Sequence, residues 1–378
     1  MIKGILRTGI ILPKIPLLQG RVSVLNRELR SLFSLEIICV PLRRGVSIAL
    51  NPESISPDRS CYELNKTFNR LIKLLYYDPN NCHKRLMKYN WQQEKWPDFQ
   101  YGLAEIQDLL LRYIEKTGRV DGLLSALPDS LQTETIIDLM VSEAVKSSEI
   151  EGEMLSRPDV MSSIKNNLGL HTEPKQVGDR RAEGIAELMV SVRNNYARPL
   201  SQKMLFEWHT MLMMGASRIR SGAWRMHSEP MLIVSGTIGS EQIHYEAPPS
   251  TQVPEEMKRF IQWFNSTVPG GGAEIGFAPV RSAVAHLYFE SIHPFEDGNG
   301  RIGRALSEKV LSQGLGRPVV LSLSRSIEAD RGGYYEALKQ AQCSAEITGW
   351  INWFVRMLLI AQEQAETEIE FTLKKTRL

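Results

Sequence analysis

The sequence predicts an almost entirely α-helical protein with one small β-hairpin, and three observations carry that expectation. From residue 103 onward, apolar side chains recur at spacings of three and four, the period of a helix with one buried face. One stretch breaks the period: Met231–Tyr245 holds two β-branched runs around a glycine-containing turn and is closed by Pro248-Pro249, a hairpin pattern. The third observation is size, since 378 residues at 43% hydrophobic content can bury a sizeable core in two or three domains.

The front of the chain differs from the rest. Residues 1–86 carry 14 Lys/Arg against 6 Asp/Glu, residues 87–378 carry 31 against 37, and three of the four cysteines lie at Cys39, Cys61 and Cys82. With no sustained period, residues 1–86 are expected to be a translated upstream stretch or a poorly ordered extension; the alternative is a small basic domain that touches nucleic acid or a membrane surface. No disulfide ladder, zinc spacing or run of ~20 apolar residues is present, so the expected setting is cytoplasmic.

The texture changes at Met87, where an aromatic-rich stretch, Tyr89 to Phe99, leads into the helices. The spacing predicts a helix over 103–117 with Leu103, Ile106, Leu110 and Ile114 buried. A second is predicted over 132–151, with Ile136, Leu139, Met140 and Ala144 inward. Further helices are expected near 179–196, 201–214, 254–266, 278–292, 301–314, 331–342 and 346–367. A lone hairpin needs a helix to lean on, so residues 231–249 read as a flap. Pro269 and Gly270-Gly271-Gly272 mark a flexible connection.

Val280, Ala283, Val284 and Leu287 share one face of a helix that runs into His293, which precedes Pro294 and is biased away from α geometry. Gly298 and Gly300 permit a tight path before Ile302, Ala305, Leu306 and Val310 resume a helical stripe. The start of that second helix is a ready anion site, with unpaired N–H groups and a partial positive charge. Arg301 and Arg304 can hold phosphate oxygens with planar forks, Asp297 suits a Mg²⁺ shared with nucleotide phosphates, and His293 can take a proton near neutral pH. Each element alone has an ordinary reading as a cap, a turn or a solvated face; together they fall within twelve residues, 293 to 304.

These residues match the Fic motif, His-x-Phe-x-Asp/Glu-Gly-Asn-Gly-Arg-x-x-Arg, at every specified position. The chain thus resembles the Fic family over most of residues 87–367. The resemblance implies a Fic-type helical core with a flap over 176–367, preceded by a helical domain over 87–175 and followed by a tail over 368–378. It implies that His293 is the catalytic base, that Phe295 anchors the loop, and that Asp297 binds Mg²⁺. Gly298, Asn299, Gly300, Ile302 and Gly303 would line the nucleotide site, with Arg301 and Arg304 on the outer phosphates. Ile243, His244 and Tyr245 would line up a target segment by strand pairing, and Tyr334 and Gln342 would flank adenine. An ordinary packed aromatic and a surface amide remain the alternatives for that last pair.

The same resemblance gives meaning to Ser147-Ser148-Glu149-Ile150-Glu151-Gly152, which is similar to the family's inhibitory helix. It implies that Glu151, on the same face as Ser147, pairs with Arg304 and misplaces the γ-phosphate. The expected reaction is transfer of AMP from Mg-ATP to a Ser, Thr or Tyr hydroxyl of a target protein docked along the flap, with pyrophosphate leaving. Two alternatives stand beside it: removal of AMP from a modified protein, and a nucleotide-binding regulator whose basic front touches nucleic acid. A homodimer is common in the family. Relatives often continue past the final helix into a winged-helix module, so the tail ending at Leu378 is expected to be truncated, which leaves DNA-linked regulation open.

Overall fold

The computed structural model describes the backbone at 10–13, 37–42 and 45–50. From residue 89 to 375 it is described in full, except for 171, 172, 174, 217, 218 and 236–241 and the side chains of 234, 235, 242 and 243. The chain divides into two compact units, Met1–Arg85 and Leu86–Leu378. In the first unit, where the sequence suggested no fold, the described residues are three strands: β1 (Ile10–Pro13), β2 (Ile37–Leu42) and β3 (Gly45–Leu50). They form an antiparallel sheet in the order β1-β3-β2, with Ile48 opposite both Ile10 and Cys39. The short β-branched runs at Ile37-Ile38 and Val46 to Ile48 are the local reason.

The second unit is helical. Its elements are α1 (Gln107–Ser125), α2 (Asp129–Ile150), α3 (Arg157–Asn167), α4 (Arg180–Asn194), α5 (Gln202–Leu212), the hairpin β4 (Leu232–Ser235) and β5 (Gln242–Glu246), α6 (Val253–Ser266), α7 (Ala278–Ile292), α8 (Asn299–Leu315), α9 (Leu323–Ala329), α10 (Arg331–Ala341) and α11 (Thr348–Lys375).

Helix α7 organises this unit because every residue from Pro279 to Ile292 is buried. Such a helix belongs at the centre of a core. Its Val280, Ala283, Val284 and Leu287 face one apolar cluster with α1, α9, α10 and α11. Its Ala285, Tyr288, Phe289 and Ile292 face a second, with α2 to α6 and α8. The sequence identified the first stripe and not the second. Helix α2 supplies Ile137, Met140, Val141 and Ala144 to the cluster that also holds Ala285 and Phe289, so the segments on either side of the expected division at 175/176 share one core.

Other boundaries also move. On α1 the buried face is Leu109, Leu110, Tyr113 and Val120, continued by Ile106 in the turn just before it, whereas Leu103 and Ile114 are exposed; the expected stripe drifted off the face that meets α11. Helix α3 was not anticipated, although Ser156 caps it by accepting from Asp159 N–H and Pro158 stands in its first turn, both start signals. Helix α9 escaped notice because its 7 residues, about two turns, give no sustained period. Helix α11 runs through the expected tail to Lys375, with Ile369 fully buried.

Helix α5 supports the loop after α7. Its His209 is buried and stacks on Phe295 at 4.1 Å with a 17° interplanar angle, and its Nδ1 accepts the Gly222 N–H at 3.0 Å. Burial pushes the His209 imidazole down from 6.5 to about 4, so it is neutral at physiological pH. The buried His286 is shifted the same way, chiefly by burial. For such a group the unfolded chain binds the proton first: its contribution is complete above pH ~6.5 and is lost as the pH falls from there toward the folded value. Thermal unfolding followed by circular dichroism should therefore show Tm falling steadily from pH 6.5 to 4, with a shallower fall in His209→Gln. A decline of equal slope in the variant would remove His209 as its source.

Candidate active site

The loop begins where α7 ends. His293 caps the helix in the left-handed region, φ 50° and ψ 61°, the one non-glycine residue with positive φ among those described. The extended backbone expected before Pro294 is thus replaced by a strained cap, which persists where its surroundings over-determine it. The cause is visible. Buried Arg225 donates from Nε to the His293 carbonyl at 2.7 Å and from Nη2 to the carbonyls of Ile292 (3.2 Å) and Pro248 (2.5 Å), while Nη1 reaches Ser250 Oγ at 2.9 Å. One guanidinium therefore satisfies the open end of α7 and ties it to the segment after the flap. Burial lowers Arg225 to about 10, so it stays charged at neutral pH.

Phe295 is fully buried between His209, Trp224 and Phe289. Asn299 closes the loop on itself: its Oδ1 accepts from Phe295 N–H and its Nδ2 donates to the Phe295 carbonyl, both at 2.9 Å. Its side chain is thus committed to the loop rather than offered to a phosphate, and only its backbone N–H can serve the nest. Gly298 caps α8 at φ 81°, and an added Cβ would lie 2.8 Å from Leu212 Cδ2. Helix α8 opens here, with Ile302 N–H donating to the Gly298 carbonyl at 3.0 Å. The N–H groups at positions 299 to 301 precede the first intrahelical bond.

Two carboxylates occupy this anion site. Arg304 is 1% exposed; its Nη2 meets Glu151 Oε1 at 2.7 Å and the Ser147 carbonyl at 2.8 Å, and its Nε donates to Ser147 Oγ at 2.9 Å. Burial acts against its charge, yet Glu151, Tyr334 and Glu290 together more than offset this and hold the guanidinium above its ordinary value. Arg301, 3% exposed, donates from Nη1 to Glu153 Oε2 at 2.5 Å and lies 3.5 Å from Asp297 Oδ1. A Cβ on Gly300 would fall 2.1 Å from Glu151 Oε1. Glycine there is what lets the carboxylate reach the start of α8.

The end of α2 aims both acids. Gly152, at φ 83°, donates to the Glu149 carbonyl at 3.0 Å and Glu153 N–H donates to the Ser148 carbonyl at 2.9 Å, the two bonds of a Schellman cap. Anionic side chains at a helix C-terminus are unfavourable by a few tenths of a kcal/mol. Two buried arginines offset that here.

Asp297 is half exposed and its Oδ1 accepts the Gly298 N–H at 2.6 Å. Among the described residues no group of three or more His, Cys, Asp or Glu is placed to hold a metal. The donor set therefore fits a Mg²⁺ held by one carboxylate together with nucleotide phosphates, and does not fit a metal held by protein alone.

The remaining expected residues lie apart. Ile302 is fully buried in the core cluster, and Gly303 packs beneath Glu290. Tyr334 is 2% exposed with its hydroxyl 2.9 Å from His286 Nε2, and Gln342 is buried with Nε2 3.4 Å from the Glu290 carbonyl; both are packed inside, not lining a surface. In the flap, Tyr245 is fully buried and donates to the Ser291 carbonyl at 2.8 Å, anchoring β5 to α7. The register slips between Ile233 and Val234, a bulge of the kind that re-aims a strand. Ile243 pairs with Val234, but its side chain and the turn 236–241 lie outside the described residues. The lead-in pins the same elements: Asn90 Nδ2 donates to Ser291 Oγ at 2.8 Å and Trp91 Nε1 to the Glu246 carbonyl at 2.8 Å. Sequence reasoning missed Arg225, Glu153 and Glu290; of these only Glu153, two residues past Glu151, had a local signal.

Comparison with known proteins agrees with this geometry. The Fic/DOC family model matches residues 199–311, and a domain of unknown function (DUF4172) matches residues 89–170. A protein adenylyltransferase Fic from Nematostella vectensis is 32% identical over 117 residues, which is 30% of this chain and only a quarter of that protein. One from Drosophila ananassae is 33% identical over 108 residues, 29% of this chain and 19% of its own. In structure, the chain is similar to a Fic family protein from Desulfovibrio desulfuricans G20, with a TM-score of 0.51 at 23% identity, covering 68% of this chain and 74% of that one. Helical core, flap, glycine loop and family match coincide in one place, and the chain contains a Fic/DOC family domain over residues 199–311.

Proposed function

We propose that this chain transfers AMP from Mg-ATP to a Ser, Thr or Tyr hydroxyl of a target protein, and that Glu151 and Glu153 hold it in a low-activity arrangement. One observation carries the reading: a His at the end of a buried helix stands beside a helix start whose two phosphate-suited arginines are both occupied by carboxylates from α2. The relatives named as protein adenylyltransferases support the reaction class.

In this reading the acceptor oxygen attacks the α-phosphorus while His293 takes its proton. The bond from that phosphorus to the β-bridging oxygen breaks, and pyrophosphate leaves. Arg301, Arg304 and the first N–H groups of α8 hold the phosphates, so that developing negative charge meets preorganised donors. Mg²⁺, arriving with the nucleotide and held by Asp297, would neutralise phosphate charge. The target segment lies along the 231–249 flap, where β5 offers its edge for strand pairing. Glu151 competes with phosphate for Arg304 and Glu153 competes for Arg301. Catalysis of this type is largely positioning, so displaced phosphates slow it steeply. The exposed part of Glu151 could also orient a water, which is the route by which such a site would remove AMP instead.

Incubation with α-labelled ATP and Mg²⁺ followed by denaturation tests the reaction. Glu151→Gly should raise retained label about tenfold or more, equal to about 1.4 kcal/mol of regained transition-state stabilisation, and His293→Ala in that background should abolish it. Equal labelling by wild type and Glu151→Gly would count against the brake. Loss of label from a pre-adenylylated target, faster in wild type than in Glu151→Gly, would instead support removal.

Glu153 gives a separate expectation. Glu153→Ala alone should raise labelling by only about two- to fivefold, since its partner still has Asp297, while the double variant should exceed Glu151→Gly by more than the single effects combine to, as expected for neighbouring sites. Strict additivity in steady-state rates would show that the two carboxylates act independently.

A further inference from the structure

A buried carboxylate stands directly behind the base. Glu290 lies one helical turn before His293 on α7 and is 5% exposed. Its Oε2 is 3.7 Å from His293 Nδ1, and both Glu290 Oε1 and His293 Nδ1 are buried with no hydrogen-bond partner. The separation is about 0.8 Å beyond a hydrogen bond, a gap of the kind that closes when a catalytic site is filled. Nδ1 is shut off from solvent while the His293 side chain keeps 16% exposure, so the open edge of the ring is the one that carries Nε2.

The surroundings reserve this place for a carboxylate. A Cβ on Gly303 would lie 2.5 Å from Glu290 Oε1 and 3.3 Å from His286 Nδ1, so α8 can cross α7 here only with glycine at that position. The charged and titratable groups facing Glu290 are His293 and His286 from α7, Arg304 from α8 and Tyr334 from α10. His286 is committed elsewhere, with Nε2 at 2.9 Å from Tyr334 Oη and Nδ1 at 3.2 Å from Ser307 Oγ. Arg304 directs its bonds to Ser147 and Glu151. Burial pushes the Glu290 carboxyl up, but His293, His286 and Arg304 together hold it below its ordinary value. It is therefore an anion at neutral pH.

We propose that Glu290 is the positioning residue of His293: its carboxylate takes the Nδ1–H, keeps the ring in the tautomer whose Nε2 is the free base, and stabilises the imidazolium formed when Nε2 takes the acceptor proton. This rests on the AMP-transfer reading for its kinetic consequence, though not for the tautomer. In the step itself the proton passes from the hydroxyl to Nε2 as the new oxygen–phosphorus bond forms and pyrophosphate departs with the electrons of the broken bond. Glu290 gains no proton; it orients and stabilises, the role an acid behind a catalytic His ordinarily plays.

The test uses the full chain in the Glu151→Gly background. Glu290→Leu, which removes the acceptor at similar volume, should lower kcat about 100-fold or more, a loss in the range for removing a partner that orients a catalytic His, with KM for ATP changed less than twofold. Glu290→Gln, which keeps shape and hydrogen bonding without the charge, should fall between Leu and Glu. Ring ¹⁵N NMR of His293 with the ring neutral gives a readout separate from activity: the Nδ1–H tautomer should dominate with Glu290 and give way to a mixture in Glu290→Leu. Unchanged kcat in both variants, or a dominant Nε2–H tautomer with Glu290 present, would overturn the proposal. Should the Glu151→Gly chain transfer no AMP at all, the reaction assignment fails, and the tautomer alone decides the role of Glu290.

Discussion

The burial of α7 on every side is the constraint from which the site follows. A helix packed between two apolar clusters cannot shift or rotate without opening one of them, and densely packed interiors resist such movement. Its last residue is thereby fixed in space. That rigidity is what allows a strained His293 cap, because Arg225 and the Phe295 anchor hold the chain on either side of it. The same burial encloses Glu290 Oε1.

Electrostatics then closes the site. Two arginines buried at the start of a helix are costly unless paired, since removing a charge from water is compensated only by a good partner. In this arrangement the partners are Glu151 and Glu153, presented by one Schellman cap at the end of α2. Phosphate oxygens satisfy the same forks equally well. A carboxylate and a phosphate are therefore exchangeable at these positions, and that exchangeability is the physical content of the proposed brake. Gly300 matters to both occupants, because any side chain there would fill the space in which the anion sits.

Much of this was legible in the sequence, and the failures have identifiable causes. The extent of α7 follows from its apolar run and from Pro294, but a one-face reading of it fell short because a helix buried all round has no polar face to set the phase. The stripe on α1 drifted because Leu103, Leu111 and Ile114 are apolar and yet exposed, and exposure of single apolar residues is ordinary. Tyr334 and Gln342 sit inside the core rather than on a surface, since an aromatic at helical spacing packs wherever tertiary neighbours such as Trp350 and His286 close over it. The three strands of the front unit passed unread because short apolar runs without turn signals look alike in helix, strand and coil.

By itself, the sequence determined the helical class, the hairpin, the glycine loop between two helices and the set of groups from His293 to Arg304, because these depend on local spacing and on residue chemistry. Only the tertiary structure decided what those groups face. Arg225 reaches the loop from 68 residues away, Ser147 and Glu151 reach Arg304 from 157 and 153, and Glu153 reaches Arg301 from 148. Such pairings are set by how α2, α7 and α8 pack against one another. No periodicity along the chain records that packing, since the energy of a buried ion pair depends on distance and burial in space and not on separation in sequence.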